Sequence, residues 1–181
     1  MKLTKPEKTN EEQIEDLKET MFKDFNKIIF EYGNYDSKII ILGISPVEKH
    51  YNSDSNCVFA FDKDLHQTNF SGGVLCKLFS ELGINIYDVF WDNIYKIPED
   101  MLTEETKKLN IEYIQRIIEI MKPEIIVCLG NNSESVIHKL QLEKSIKTRK
   151  IFHPATVVRG FYSQEEYNKM WKKLNLLEYM K

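Results

Sequence analysis

Three polar side chains, Ser45, Asn93 and His153, stand where they could bind and polarise a ligand. Each follows an apolar stretch of the sequence. A hydroxyl can hold a water molecule, an amide offers hydrogen-bond donors and an acceptor, and a neutral imidazole donates one hydrogen bond. Pro154 follows His153 and restricts its backbone, which helps to fix the direction of the ring. The alternative for His153 is a structural role, because His-Pro pairs occur in many loops.

Alternating strands and helices are the elements that must position these side chains. Two apolar runs are typical of buried strands: KIIILGISP (38–46) and EIIVCLG (124–130). NIYDVFWDNIYK (85–96) contains a further strand, and TRKIF (148–152) is interpreted as a fourth, short strand. Helical spacing and capping patterns predict the intervening helices: one from Thr9 to Gly33, one over 72–83, one over 103–121, one capped by Asn131 with Glu134, and one capped by Ser163 with Glu166. We therefore expect an α/β fold, a three-layer α/β/α sandwich with a central, mainly parallel four-stranded sheet.

The carboxyl ends of parallel strands form the usual ligand site of such a sheet. Ser45, Asn93 and His153 are all expected at that edge. The polar segment 47–69 enters the same region and brings an aromatic group formed by Phe59, Phe61 and Phe70. The sequence alone thus places a candidate site between loops from both ends of the chain.

Length and composition indicate a single globular domain over residues 1–181. The chain has 181 residues, of which 42% are hydrophobic and 12% aromatic, values typical of a folded protein. It lacks an apolar run long enough for a membrane span, and its polar start does not resemble a signal peptide. We expect a cytoplasmic protein, a monomer, with no membrane partner.

The cysteine spacing indicates no metal site, so we expect no metal and no cofactor.

Charge distribution leaves nucleic-acid binding open. The formal net charge of −3 argues mildly against it, because phosphate contacts need clustered basic residues. However, residues 139–150 are locally basic through Lys139, Lys144, Lys147, Arg149 and Lys150. This segment is either a local DNA-binding patch or an ordinary solvated face.

The order of these motifs resembles the uracil-DNA glycosylase superfamily. GISP (43–46) is similar to its first motif, DVFWDNIYK (88–96) to its strand ending in an asparagine followed by a lysine, and FHPATVVRG (152–160) to its second active-site motif in the His-Pro-Ala form. A Gly-rich turn and helix (69–84), a Leu-Gly strand end (122–137) and the final Trp-containing helix fit as well. The resemblance covers about residues 38–175, the expected core, which follows an N-terminal helical segment at 1–33.

The resemblance implies an enzyme that excises uracil or a related deaminated base from DNA by hydrolysing the N-glycosidic bond. The base would be flipped out of the stack. Phe59, with Phe61 as the next candidate, would stack on the base, Asn93 would read its edge, and the first motif would line the pocket through Gly43, Ile44 and Pro46. His153 would donate a hydrogen bond to the departing base, and Ser45 would hold the attacking water. The implied DNA contacts are Lys96, Lys147, Arg149 and Arg159, with Val157 or Val158 entering the gap that the flipped base leaves.

Two departures from the family pattern matter. Ser45 occupies the position where the family usually carries Asp, Asn or Glu, and a serine hydroxyl is a poor base. Slow hydrolysis is the expectation. The His-Pro-Ala branch also has four cysteine ligands for an iron–sulfur cluster, whereas this chain has three cysteines, so we expect no cluster. The alternatives are a non-catalytic member of the same fold that binds a base, a nucleotide or DNA, and an unrelated flavodoxin-like small-molecule domain.

Overall fold

A computed structural model describes residues 8–62 and 71–180. The strands are β1 (Tyr32–Gly33), β2 (Ile39–Gly43), β3 (Phe90–Asn93), β4 (Ile125–Leu129) and β5 (Lys147–Ile151). The helices are α1 (Asn10–Met21), α2 (Glu48–Tyr51), α3 (Ser71–Leu82), α4 (Glu104–Met121), α5 (Asn131–Ile137), α6 (Ala155–Val158) and α7 (Gln164–Lys172). Phe70, expected beside the site, and residues 63–69 lie outside the described residues.

The sheet has the strand order β1-β3-β2-β4-β5. Strands β2 to β5 are the four that the sequence predicts, and their pairings are all parallel. The prediction missed β1, which pairs antiparallel with β3 at one edge. Its two residues are too few to produce an alternating pattern in the sequence. Because the four long strands are parallel, the residues that follow them emerge at one edge of the sheet.

Side chains of the sheet alternate between two apolar layers. Ile39 and Ile41 face a core that contains the buried side chains of α3 and α7, including Phe79 and Trp171. Ile40 faces the other core, which contains the buried residues of α1, α4 and α5. Burial on both faces explains why β2 and β4 are apolar throughout. The three-layer α/β/α prediction is confirmed.

The N-terminal helix is shorter than predicted. The capping box of Thr9 and Glu12 forms, but α1 ends at Met21 rather than at Gly33. Phe22 leaves the helix and packs its ring edge against Tyr113, with the ring centroids 5.0 Å apart. The apolar spacing therefore continued beyond the helix because residues of the following loop fill the same core. The N-cap of α5 also differs from the prediction, since it is Gly130 and not Asn131.

None of the helices within residues 8–62 and 71–180 combines the length and the apolarity needed to cross a membrane.

Candidate active site

Gly43 and Asn93 face each other at the carboxyl ends of β2 and β3. They are register partners in the parallel pair. A Cβ atom on Gly43 would overlap Asn93 Oδ1 and would lie 3.1 Å from Phe59 Cζ. Asn93 is buried, so its side chain cannot simply move aside. Glycine at position 43 thus allows a buried amide and a phenylalanine ring to meet at the strand end.

Phe59 reaches this point through an unusual backbone. Phe59 and Ala60 have φ angles of 54° and 55°, in the left-handed region that side chains other than glycine rarely adopt. The segment is anchored to the N-terminal part of the chain, because the Val58 N–H donates to the Phe30 carbonyl at 2.8 Å. Such conformations cost about 1–3 kcal/mol each and are concentrated at functional sites. Phe61 is buried as well and packs against Phe59, Trp91 and Tyr32.

His153 lies near Phe59, with the two ring centroids 6.3 Å apart. The Ala155 N–H donates to His153 Nδ1 at 3.1 Å, so the neutral ring carries its proton on Nε2. Burial lowers the pKa of His153 to about 4, and the charge of Arg159 contributes to the shift. At neutral pH the ring is therefore uncharged, with a fixed Nε2–H donor.

The first motif completes the same edge. Ser45 is partly exposed and Pro46 is buried, while Ile44 packs against the core on the α4 side of the sheet. The carbonyls of Gly43 and Ile44 accept hydrogen bonds from the backbone of Ile94 and Tyr95, at 3.0 and 2.8 Å. These bonds hold the turn after β2 against the turn after β3.

The sequence prediction missed Asp92 and Asn110, two buried polar residues beneath Asn93. Asp92 Oδ1 accepts the Asn93 N–H at 2.8 Å and pairs with the ammonium of Lys96. Asn110 Oδ1 accepts the Lys96 N–H at 2.8 Å. One feature of the sequence could have indicated these buried polar residues: the carboxylate of Asp92 directly follows the apolar residues Val89, Phe90 and Trp91. A buried carboxylate needs a partner, and lysine four residues later was in reach.

Lys96 does not face solvent, and the expected DNA contact of this residue does not hold. Its side chain is fully buried, and its Nζ donates to the Asn93 carbonyl at 3.3 Å. Burial raises the pKa of Asp92 to about 7, although Lys96 opposes the shift and Glu31 adds to it. Burial also favours the neutral form of Glu31, but Lys96 and Lys18 outweigh it and lower the Glu31 pKa. Lys96 is thus an internal counter-ion for two carboxylates.

A second polar cluster, formed by His50, Ser55 and Asp62, stabilises the loop that carries Phe59. Ser55 Oγ donates to Asp62 at 2.5 Å and lies 3.3 Å from His50 Nε2. Serine is the central residue here, whereas histidine is central in a catalytic triad. Ser55 is also buried. This arrangement therefore fixes the loop and is not a nucleophile with its base.

Comparison with known proteins assigns the chain to a family. A family model described as the uracil DNA glycosylase superfamily matches residues 30–175. The chain belongs to this superfamily. A curated relative, the type-4 uracil-DNA glycosylase of Archaeoglobus fulgidus, is 27% identical over 171 residues, which cover 80% of this chain and 79% of the archaeal protein. A DNA glycosylase-like function follows at the level of the superfamily.

The three cysteines of this superfamily member do not form a site for an iron–sulfur cluster. Cys57 belongs to the core on the α3 side of the sheet and Cys76 packs against it, whereas Cys128 belongs to the core on the α4 side. Burial raises the pKa of Cys57 and Cys128 to about 12 and that of Cys76 to about 11. Such clusters are held by four thiolates, so these separated, protonated thiols do not fit one.

The basic residues expected to contact DNA lie at two places. Lys147 and Arg149 are exposed on β5, the edge strand next to β4, and Lys147 Nζ contacts the Tyr179 hydroxyl at 3.1 Å. Arg149 is four residues before His153, about 13 Å along an extended chain. Arg159 is exposed directly after α6. Arg159 is six residues after His153, and its charge contributes to the lowered pKa of the His153 ring.

The two valines differ in exposure. Val157, one of the two wedge candidates, packs against the core on the α3 side, whereas Val158, the other, is 43% exposed. A wedge must leave the protein surface to enter the base stack. Val158 meets this requirement and Val157 does not.

Proposed function

We propose that this protein is a DNA glycosylase that removes uracil, or a related deaminated base, from DNA. The observation that carries the proposal is His153. Its ring is neutral, its Nδ1 is occupied by the Ala155 N–H, and it lies near Phe59, which meets Gly43 close to Asn93. In this proposal its remaining donor, Nε2–H, is directed at a base held beside these residues. A fixed donor in a partly buried site is the arrangement that stabilises a developing anion.

The proposed base contacts use groups of matched hydrogen-bonding character. The Asn93 amide can accept from uracil N3–H and donate to O4. Its backbone is fixed by Asp92, which favours a defined direction for the amide. Phe59 offers its ring for stacking, and base–aromatic stacking contributes about 1–3 kcal/mol per base. These contacts would offset the few kcal/mol that flipping the base costs.

The proposed reaction breaks the C1′–N1 bond and leaves its electron pair on the base. His153 Nε2–H would donate to O2 of the departing anion, where negative charge develops. The oxygen of a water molecule bonds to C1′ and releases its proton to solvent. Ser45 would hold this water, but its hydroxyl is a poor base. Slow turnover is expected.

On the DNA side, we propose that Arg159 and Arg149 hold phosphates, with Lys147 at the far end of β5 and Val158 as the wedge. A monomer is sufficient for this arrangement.

An incubation with oligonucleotides carrying a single uracil, hypoxanthine or xanthine tests the function. Alkali-labile cleavage at one of these bases is the expected result. If none of them is excised, the glycosylase proposal fails.

Ser45 also favours a second candidate, a non-catalytic member of the superfamily that binds a deaminated base in DNA. The measurement that separates the two is binding to an oligonucleotide with 2′-fluorinated deoxyuridine, whose glycosidic bond resists cleavage. Selective binding of this oligonucleotide without excision of any lesion would establish the second candidate.

A further inference from the structure

Phe152 and Tyr162 form a stacked aromatic pair beside His153. Their ring centroids are 5.1 Å apart, with 30° between the ring planes. Phe152 directly precedes His153 and is 47% exposed. We name this pair the aromatic ledge.

The ledge is fixed to the loop that carries His153. The Thr156 hydroxyl donates to the His153 carbonyl at 2.7 Å, and the Thr156 carbonyl accepts the N–H groups of Phe161 and Tyr162. The Tyr167 hydroxyl of α7 donates to the Phe152 carbonyl at 2.9 Å. The backbone on both sides of the ledge is therefore anchored, and the exposed rings do not belong to a free end.

Exposed apolar side chains are concentrated around the ledge. Phe161 is 71% exposed and Val158 is 43% exposed, so three large exposed apolar residues occur between positions 152 and 161. Large exposed apolar side chains that are grouped in one short segment are candidates for a binding site. Arg159, an exposed cation, lies between Val158 and Phe161 in the sequence and complements an anionic strand.

We propose that the aromatic ledge binds an unpaired base next to the flipped nucleotide, and that the preferred substrate is single-stranded DNA. The inference rests on the proposed function of the His153 site and specifies the substrate of that site. Aromatic rings bind bases of any sequence because every base has a π-face, and a nearby arginine binds the backbone. In a duplex, the neighbouring base is already paired and stacked, so it reaches the ledge only at the cost of those contacts.

The test compares single-stranded and duplex oligonucleotides that carry one 2′-fluorinated deoxyuridine. Phe152→Leu keeps an apolar side chain but removes the flat face, and Phe152→Trp restores a larger one. We expect Phe152→Leu to bind the single strand about tenfold more weakly, within the range for loss of one base–aromatic stack. Duplex binding should change much less, and Phe152→Trp should bind the single strand at least as tightly as the wild type.

Tyr87→Leu is the matched control. Tyr87 is 59% exposed and also pairs with a tyrosine, Tyr32, at a centroid distance of 5.1 Å, but it precedes β3 and so lies at the opposite edge of the sheet from Asn93. Thermal unfolding of each variant checks its folding. An equal loss on single strand and duplex, or no loss with Phe152→Leu, overturns the ledge while the glycosylase proposal stands. If the wild type binds neither DNA form, both proposals fail.

Discussion

At the level of single residues, the chemistry of His153 depends on which ring nitrogen carries the proton. The Ala155 N–H occupies Nδ1, and burial lowers the pKa of the ring to about 4. Protonation would place a second proton on Nδ1 and break the hydrogen bond from Ala155. Both forms of the ring carry an Nε2–H donor, but only the neutral form keeps the hydrogen bond from Ala155 that fixes the direction of this donor.

We predict that the single-turnover rate of excision does not titrate with an ordinary histidine pKa. Because the pKa of His153 is lowered to about 4, the donor should stay unchanged from about pH 8 to about pH 5 and be altered only near pH 4. His153→Ala should lower the rate about 10²–10³-fold, the usual effect of losing one such donor. A rate that declines around pH 6.5 in the wild type but not in His153→Gln would contradict this assignment.

Ser45 gives the second prediction at this scale. Ser45→Asn supplies an amide in place of a hydroxyl and should raise uracil excision by about 10–100-fold, if water positioning limits the rate. Gel-based counting of alkali-labile sites measures the change, with Ser45→Ala as the control. If Ser45→Ala excises as fast as the wild type, the water is held elsewhere, and the prediction is wrong.

At the level of elements, the buried pair of Asp92 and Lys96 joins the end of β3 to α4. We predict that Lys96→Met lowers the free energy of unfolding by about 3–5 kcal/mol, because it leaves a buried carboxylate without its counter-ion. Asp92→Asn combined with Lys96→Met should recover much of this loss, since neither charge then remains. Urea denaturation of the wild type, the single variant and the double variant measures both effects.

A different outcome would change the interpretation of this pair. If Lys96→Met is as stable as the wild type, water or a shifted protonation state compensates Asp92, and the pair does not anchor the Asn93 backbone. The double variant also serves the functional question. If a stable double variant still excises the base, the charge of Lys96 is not needed to position Asn93.

Across the whole molecule, the sequence predicts the parallel sheet and the meeting of Gly43 with Asn93 at its edge, because buried strands are continuous apolar runs and parallel strands end together. His153 lies near Phe59, and its approach to Asn93 stays a prediction. It does not predict the left-handed backbone at Phe59 and Ala60, which tertiary anchoring imposes on residues that disfavour it. It also misassigns Lys96, since lysine is almost always exposed unless a buried acid pairs with it. The misses are thus places where tertiary contacts override the local preference of a residue.

The last prediction concerns the electrostatics of the molecule as a whole. The formal net charge is −3, so DNA binding must come from local basic groups, and it should be weak and salt-sensitive. Arg149→Glu should weaken binding equally for all sequences and lower the slope of log affinity against log salt by about one unit per lost phosphate contact. Arg116→Glu is the control, because it makes the same charge change on α4, which packs on the other face of the sheet from Arg149's side chain. Fluorescence anisotropy over a salt series gives both slopes. Equal effects of the two variants would mean that only net charge matters, and that the basic residues of β5 protect a sheet edge rather than bind DNA.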